Sequence, residues 1–273
     1  MGLARVVSLT GGCRLTLRLR ILYVVEISLS GSCQGFARME EFARRLTIAL
    51  ELGLPPVALR FVSEAPVDVS EVGRDLPSSC SYWREAENRT FYAALDRHLH
   101  CAIGAMVMGF PLPAEVAAQL GEVVNMMAEC GYLSPEEAAT IPVMPKGHVG
   151  IVYGPLSQTP QTPDLVLLWA SAKQAMLCGE AAGSAAWTSD PTTVTGRPGC
   201  AALPRAMSGG APAMSVGCIG MRTFTEIPDD RILVAIPGVR LAAFVADVER
   251  LKAANDAMQQ IYRGMRASHL ATS

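Results

Sequence analysis

Histidine and cysteine side chains are concentrated in one short segment, Asp96–Cys101. His98, His100 and Cys101 fall within four residues of one another. On a helix, His98 and Cys101 would share a face, and His100 would point elsewhere. A thiol beside an imidazole can act as a nucleophile, and the same residue types can bind a metal or haem. The alternative is a structural helix start with a partly exposed histidine and a buried cysteine.

Two more cysteines lie near glycines in the second half of the chain. Cys200 follows a Pro-Gly pair and begins a predicted helix, whose dipole would stabilise a thiolate. Cys218 lies between Gly217 and Gly220, and glycines allow the backbone to approach a ligand or cofactor closely. The alternative for this segment is a strand packed tightly against its neighbour. The candidate nucleophiles are therefore Cys101 and Cys200, with His98 or His100 as the base.

Two arginines flank these cysteine segments. Arg197 precedes Cys200, and Arg222 follows Cys218. A guanidinium group binds carboxylates and phosphates through several N–H donors. Arg197 and Arg222, with Gly217 and Gly220, are thus candidates for binding an anionic ligand or cofactor.

Several well-defined motifs are absent from the sequence. It contains no CxxC pair, no Walker A loop and no GxGxxG before a helix. It also lacks the GxSxG, HExxH and EF-hand patterns. No standard enzyme class is indicated, and whether the protein is an enzyme stays open.

Composition excludes several classes of protein. The chain has 273 residues, of which 50% are hydrophobic and 18% charged, with a mean hydropathy of +0.28. A disordered chain would be poorer in apolar residues. The longest uncharged apolar stretch of the body, Cys101–Pro113, is shorter than the roughly 20 residues that a membrane-spanning helix needs. We therefore predict a protein with a large core and no membrane partner.

Charge is unevenly distributed along the chain. Residues 1–38 contain five arginines and one acidic residue, whereas the remainder contains 18 basic and 24 acidic residues. An acidic body argues against nucleic acid as a partner. The first 38 residues fit a weak export signal, a transit-like or disordered extension, or translation from an upstream start codon. We favour the last, with Met39 as the first residue, and expect reduced thiols and a cytoplasmic location.

Helix-like and strand-like hydrophobic patterns alternate along the chain. They predict an α+β, or mixed α/β, fold: a single globular domain with a mixed sheet flanked by helices. Predicted helices cover Met39–Leu52, His98–Gly109, Pro113–Glu129, Ser171–Ala182, Cys200–Met207 and about 240–264. Predicted strands cover Val57–Val62, His148–Tyr153, Asp164–Trp169, Gly217–Phe224 and Arg231–Ile236. Ser134-Pro-Glu-Glu137 predicts a capping box, and residues 187–199 predict a loop.

The order of several short motifs resembles that of the domain-of-unknown-function 169 family. The resemblance rests on Leu54-Pro-Pro-Val-Ala58, Cys80-Ser-Tyr-Trp-Arg-Glu-Ala86, His100-Cys101-Ala-Ile-Gly104, Tyr153-Gly-Pro-Leu156, Pro163-Asp-Leu-Val166, Gly196-Arg-Pro-Gly-Cys200, Ser215-Val-Gly-Cys-Ile-Gly220 and Ile236-Pro-Gly238. It implies one family domain over residues 39–265, an extension over 1–38 outside the family pattern, and a tail over 266–273. It leaves the substrate open.

The resemblance also selects four of the eight cysteines. Cys80, Cys101, Cys200 and Cys218 lie inside the family's motifs. Four thiolates suit an iron–sulfur cluster or a structural zinc. The lack of a close cysteine pair argues against such a site.

Three hypotheses about function follow. The first is a redox or metal-dependent protein that holds an iron–sulfur cluster, zinc or haem through these cysteines and histidines. The second is a cofactor-free domain that binds or senses a small molecule. The third is an enzyme with a cysteine nucleophile. The oligomeric state stays open.

Overall fold

The computed structural model describes residues 4–8, 14–19, 25–29, 31–183 and 194–271. Side chains are described over 34–183 and 194–270. The predicted loop over 187–199 therefore lies partly outside the described residues.

The strands form two sheets. Near the N-terminus, three antiparallel strands pair in sequence order: β1 (Ala4–Ser8), β2 (Arg14–Leu19) and β3 (Val25–Leu29). The main sheet contains β4 (Val57–Val62), β5 (Phe91–Ala94), β6 (Gly150–Pro155), β7 (Leu165–Ala170), β8 (Val194–Thr195), β9 (Ala213–Ser215) and β10 (Ile232–Pro237). Its order is β5-β6-β4-β7-β10-β9-β8. The β8–β9 pair is parallel and the other pairs are antiparallel, so the sheet is mixed.

Helices of very different length cover the sheet. They are α1 (Gly31–Leu50), α2 (Ser81–Glu85), α3 (Ala102–Val107), α4 (Ala114–Glu129), α5 (Pro135–Ala139), α6 (Ala172–Ala181), α7 (Ala202–Gly209), α8 (Ile219–Thr225) and α9 (Leu241–Ala271). Short 3-10 turns cover Leu95–His98, Leu156–Gln158, Gly199–Ala201 and Gly238–Arg240. The predicted α+β fold, with a mixed sheet flanked by helices, is confirmed.

Strand β7 shows how the sheet builds a core on both faces. All six of its residues are buried. Because successive side chains of a strand point to opposite faces, Leu165, Leu167 and Trp169 join one core and Val166, Leu168 and Ala170 join the other. The first core packs against α2, α3, α7 and α8, and the second against α1, α6 and α9. The cysteine-rich segments belong to the face covered by short helices.

Four local predictions were wrong. The helix predicted from Met39 begins earlier, at Gly31, as α1. The predicted loop over 187–199 contains strand β8 in its described part.

The predicted strand Gly217–Phe224 is instead helix α8 over Ile219–Thr225, because Cys218 is extended and its sulfur accepts a hydrogen bond from the third residue of a helical turn. The predicted helix His98–Gly109 is interrupted. A 3-10 turn ends at His98, and α3 starts only after Cys101. His98 and Cys101 therefore do not share a helical face.

Candidate functional site

Four cysteines from four distant segments line one cavity of about 240 Å³. Cys80 immediately precedes α2, and Cys101 precedes α3. Cys200 lies in the 3-10 turn that leads into α7, and Cys218 precedes α8. Short helices therefore start at or next to each cysteine on the same face of the sheet. The four cysteines selected by the family resemblance are the ones that the fold brings together.

The walls of this thiol cavity are largely apolar. The loop after α4 contributes Tyr132 and Leu133, and α8 contributes Ile219 and Phe224. Further lining residues are Ser78, Ile103, Gly104, Met127, Ile141, Arg197, Pro198, Gly199, Gly220 and Met221. With a volume below that of most drug-sized pockets, the cavity suits a small ligand or a compact inorganic group.

The four thiols fall into an inner and an outer pair. Cys80 and Cys200 are buried, with exposed fractions of 6% and 4%, whereas Cys101 and Cys218 are partly exposed. Burial raises the pKa of the Cys80 and Cys200 thiols well above the usual value, and the neighbouring cysteines raise it further. The inner pair is therefore protonated at neutral pH until a ligand displaces the protons.

The cysteines do not form a ready site for a single metal ion. Within the described part of the chain, no group of three or more histidine, cysteine, aspartate or glutamate side chains is arranged to hold one. The thiolates on one zinc ion each lie about 2.3 Å from it, which requires them to be in close mutual contact. A mononuclear zinc centre would need the cavity to contract.

Backbone conformation positions Cys218 at the cavity. Gly217 has a φ of +86°, a conformation that favours glycine. One residue later, the Cys218 sulfur accepts a hydrogen bond of 3.4 Å from the Met221 amide. Gly220 lines the cavity, whereas Gly217 is not among its lining residues. Gly217 thus shapes the turn, and Gly220 forms part of the cavity wall.

Arg222 supports this turn rather than the cavity. Its guanidinium donates to the carbonyl oxygens of Val216 at 2.7 Å and Arg231 at 3.1 Å. It also donates to the carbonyl oxygen of Asp229 at 3.4 Å. Arg222 is not a lining residue, so its position does not suit the anion-binding role that the sequence suggested.

Arg197 does line the thiol cavity. Its guanidinium lies over the ring of Tyr132, 4.6 Å from the centroid, and 3.7 Å from a carboxylate oxygen of Glu137. Tyr132 also accepts a 3.4 Å hydrogen bond from the amide of Ile219. The α4–α5 loop is thereby linked to both Arg197 and the start of α8.

The two candidate histidines, His98 and His100, have partners outside the thiol cavity. His98 is 1% exposed, and its ring nitrogens contact the Ala94 carbonyl oxygen at 2.9 Å and the Tyr153 hydroxyl at 3.0 Å. His100 pairs with Asp75, 3.2 Å away. Neither histidine is among the residues that line the cavity. The placement does not support a Cys–His pair or histidine ligands at Cys101.

The sequence interpretation missed the wall formed by the α4–α5 segment. The capping box at Ser134 is present as predicted, but it marks a helix start and not a cavity. Helix α4 has no buried residue, yet Met127 at its last turn, Tyr132 and Leu133 complete the cavity. The local pattern carries no signal for this role, because it depends on contacts with α8 and the Arg197 loop.

A larger groove of about 530 Å³ lies between α6, α9 and the end of α1. Its lining contains no cysteine or histidine, so it lacks the reactive side chains that distinguish the thiol cavity. Among the helices that the structure describes, none is both long and apolar enough to cross a lipid bilayer.

Comparison with known proteins places the chain in a family. Residues 45–247 match the model of domain of unknown function 169, described as "Uncharacterised ArCR". The chain is 29% identical over 176 residues to the uncharacterised protein MJ0308 of Methanocaldococcus jannaschii, an alignment that covers 61% of this chain and 72% of that protein. No solved structure gives a significant match. The matched segment contains the four cavity cysteines and the strands of the main sheet, and the chain belongs to the domain-of-unknown-function 169 family.

Proposed function

We propose that the protein binds a [4Fe–4S] cluster through Cys80, Cys101, Cys200 and Cys218. The observation that carries this proposal is the convergence of these four thiols on one cavity. Four cysteine thiolates are the usual ligand set of such clusters. The proposed function is accordingly that of a redox protein.

The separate origins of the thiols favour a cluster over a single ion. Each iron of a [4Fe–4S] cluster takes one cysteine, so the ligand sulfurs lie farther apart than the four around one zinc. This agrees with four ligands on four separate segments without a CxxC pair. It also agrees with the absence, among the described side chains, of a three-ligand site for one ion.

The environment of the thiols also suits a cluster. Apolar walls limit water around the cavity, and the Met221 amide already donates to the Cys218 sulfur. Burial and hydrogen bonds to the sulfurs are two of the factors that set cluster potentials. Each thiol binds as a thiolate and releases one proton on loading.

Anaerobic reconstitution tests the proposal. The reduced chain is incubated with ferric iron, sulfide and a thiol reductant, which supplies the two electrons per cluster that bring four ferric ions to the mixed-valence state, and is then desalted and analysed for iron, sulfide and visible absorbance. We expect about four irons and four sulfides per chain, and a several-fold loss of both in single serine variants of the four cavity cysteines. Wild-type protein that retains no iron, or a quadruple variant that retains as much as wild type, contradicts the proposal.

Two other cysteines provide matched controls. Cys178 lies on α6 and is buried in the opposite core, and Cys130 is exposed after α4. We expect Cys178→Ala and Cys130→Ser to retain the wild-type iron content. Circular dichroism and thermal melts of every variant separate the loss of a ligand from the loss of the fold.

A second candidate function is the binding of a small molecule without a cofactor. The apolar walls and the volume of about 240 Å³ favour it. If the protein binds apolar ligands equally well after all four cavity cysteines are replaced by alanine, this function is favoured over cluster binding.

A further inference from the structure

One continuous segment, residues 114–139, forms a wall of the thiol cavity. It contains α4, α5 and the loop between them, and it contributes Met127, Tyr132 and Leu133 to the lining. The structure describes every residue of this segment, and Leu133 is the one among them that is buried. By contrast, α2, α3, α7 and α8 each contain several buried residues. This wall is therefore held by less buried surface than the others.

The chain leaves the core before this segment and returns to it at the same place. The Met144 amide donates to the Val107 carbonyl oxygen at 2.8 Å. A Cβ added to Gly109 would lie 2.6 Å from the Met144 carbonyl oxygen, so the two ends of the excursion are in contact. Phe110 and Met144 are both buried in the core. Residues 111–143 thus hang from one fixed point, which is the arrangement of a hinged segment.

The contacts of the segment are mainly internal. Among the described elements, α4 chiefly contacts α3 and α5, its neighbours along the chain. The capping box of α5 joins Ser134 to Glu137, and the Cys130 thiol donates to the Met127 carbonyl oxygen at 3.4 Å. Few buried apolar contacts are typical of segments that open while the rest of the protein stays folded.

A second cavity, of about 220 Å³, separates part of this wall from the rest of the protein. Leu133, Glu137 and Ile141 line it on one side, and Arg197 and Ala201 lie on the other. Leu133, Ile141 and Arg197 also line the thiol cavity. The segment therefore has empty space on both sides of its contact with Arg197. Atoms that line a void lose dispersion contacts, so opening at this contact breaks little packing.

Tyr132 fastens the segment to the loops that carry Cys200 and Cys218. Its hydroxyl accepts a 3.4 Å hydrogen bond from the Ile219 amide, and the Arg197 guanidinium lies over its ring. Arg197 also lies 3.7 Å from a carboxylate oxygen of Glu137. An exposed ion pair contributes little to stability. These contacts hold the wall closed without fixing it in the core.

We propose that residues 114–139 form a lid over the thiol cavity and that Tyr132 is its latch. The inner thiols, Cys80 and Cys200, are buried, and opening of the lid gives a ligand access to them. Closure then places Tyr132 and Leu133 against the bound ligand and limits its contact with water. The inference goes beyond cluster binding, because the lid controls entry for any ligand that the cavity accepts.

Maleimide labelling of the inner thiols tests the lid in the reduced, cluster-free full chain. We expect Cys80 and Cys200 to react slowly, through openings of the lid, at rates that hardly change in low concentrations of urea. Labelling through global unfolding would instead accelerate steeply with urea, because the slope scales with the surface that unfolding exposes. A steep dependence for both thiols overturns the lid.

The variant Tyr132→Phe tests the latch. It removes the hydroxyl and keeps the ring that forms part of the wall. We expect Cys80 and Cys200 to be labelled faster by the same factor, about threefold for the loss of one exposed hydrogen bond, and exposed Cys130 to keep its rate. Tyr262→Phe, at an exposed position on α9, is the matched control. Unchanged labelling of the inner thiols in Tyr132→Phe overturns the role of the latch.

Hydrogen exchange provides a readout that does not depend on thiol access. We expect the amides of α4 to exchange faster than those of β7 in the wild-type protein. Leu133→Ala removes the one buried side chain of the lid and should accelerate exchange in α4 by about tenfold or more, with β7 unchanged. Because Leu133 lies outside α4, this effect requires the segment to open as a unit. Equal protection of α4 and β7, or no effect of Leu133→Ala on α4, overturns the lid.

The same measurements separate the lid from the proposed function. They use cluster-free protein, so inner thiols that react through local opening support the lid even if the protein never retains iron. Full iron loading in a chain whose inner thiols react only on global unfolding contradicts the lid and leaves cluster binding standing.

Discussion

The Tyr153 hydroxyl lies 3.0 Å from Nε2 of His98, inside the core on the side of the sheet that carries the thiol cavity. Because Nδ1 of His98 faces the Ala94 carbonyl oxygen at 2.9 Å, Nδ1 carries the proton and Nε2 accepts from Tyr153. Both ring nitrogens are thus occupied. His98 therefore has a structural role in the core, and its ring nitrogens are not available to act as a base for Cys101.

Because His98 is buried in its neutral form, we expect the free energy of unfolding to fall in mild acid. Burial lowers the pKa of His98 to about 4, so between pH 6.5 and 4 the unfolded chain takes up a proton that the native state does not. Stability is full above pH 6.5 and falls as the pH drops towards 4, by up to about 3 kcal/mol from this residue. Burial also lowers the pKa of His148, which adds to the same slope.

Denaturant unfolding as a function of pH measures this slope, and NMR titration of the His98 ring assigns it. We expect the His98 resonances to remain those of the neutral ring down to about pH 4. Titration of His98 near pH 6.5 in the folded protein would contradict the prediction.

Replacement of Tyr153 by phenylalanine should destabilise the fold. The buried Nε2 of His98 loses its donor, and a buried polar atom without a partner costs about 1–3 kcal/mol. We expect a melting temperature several degrees lower. Tyr262→Phe is the control, because Tyr262 is 61% exposed on α9. Equal melting temperatures for Tyr153→Phe and wild type would show that the hydrogen bond contributes no stability.

Replacement by alanine should lower the stability of the fold at Gly217 but not at Gly220, the two glycines close to Cys218. Gly217 has a φ of +86°, and an added Cβ would meet the Met221 side chain, so Gly217→Ala is expected to cost about 1–3 kcal/mol. Gly220 lies in α8, and a Cβ added there would be 4.0 Å from its nearest neighbour, a ring carbon of Phe224. Gly220→Ala should therefore be neutral or slightly stabilising. Chemical denaturation of both variants makes the comparison, and equal effects would argue against strain at Gly217.

Removal of the Arg222 side chain should loosen the turn before Cys218. Arg222→Ala leaves the carbonyl oxygens of Val216 and Arg231 without their donor, which we expect to cost about 1–3 kcal/mol. It should also raise the rate of maleimide labelling at Cys218. Arg240→Ala, at an exposed residue before α9, should change neither quantity. An unchanged labelling rate in Arg222→Ala would show that the turn does not depend on this anchor.

Thiol reactivity should follow the inner and outer pairs. In the reduced, cluster-free protein near pH 7.5, we expect exposed Cys130 to react first, then Cys101 and Cys218, and finally Cys80 and Cys200. Burial limits access to the inner pair and raises the pKa of both thiols. Peptide mapping by mass spectrometry at successive times gives the order. Rapid labelling of Cys80 or Cys200 in the folded protein would refute the inner position of that thiol.

Much of the fold was predictable from local patterns. The Ser134 capping box and strands β4, β6, β7 and β10 follow from hydrophobic spacing and turn residues, which act within a few residues. Helix α8 was mistaken for a strand, because the segment begins with Gly217-Cys-Ile-Gly-Met221, a short apolar run without helical periodicity. The helix is stabilised instead by the hydrogen bond from the Met221 amide to the Cys218 sulfur and by the hydrogen bond from Arg222 to the Val216 carbonyl oxygen.

Local patterns and the order of the motifs were sufficient to predict the α+β class, the family and the four cysteines of interest. The convergence of those cysteines was decided only by tertiary structure, because Cys80 and Cys218 lie far apart along the chain and meet where short helices cover one face of the sheet. The roles of the polar residues were decided in the same way. In the sequence Arg197 and Arg222 each lie within four residues of a cavity cysteine, yet Arg197 lines two cavities, whereas the guanidinium of Arg222 donates to backbone carbonyl oxygens. A side chain's chemistry belongs to its type, but its availability depends on partners that only folding provides.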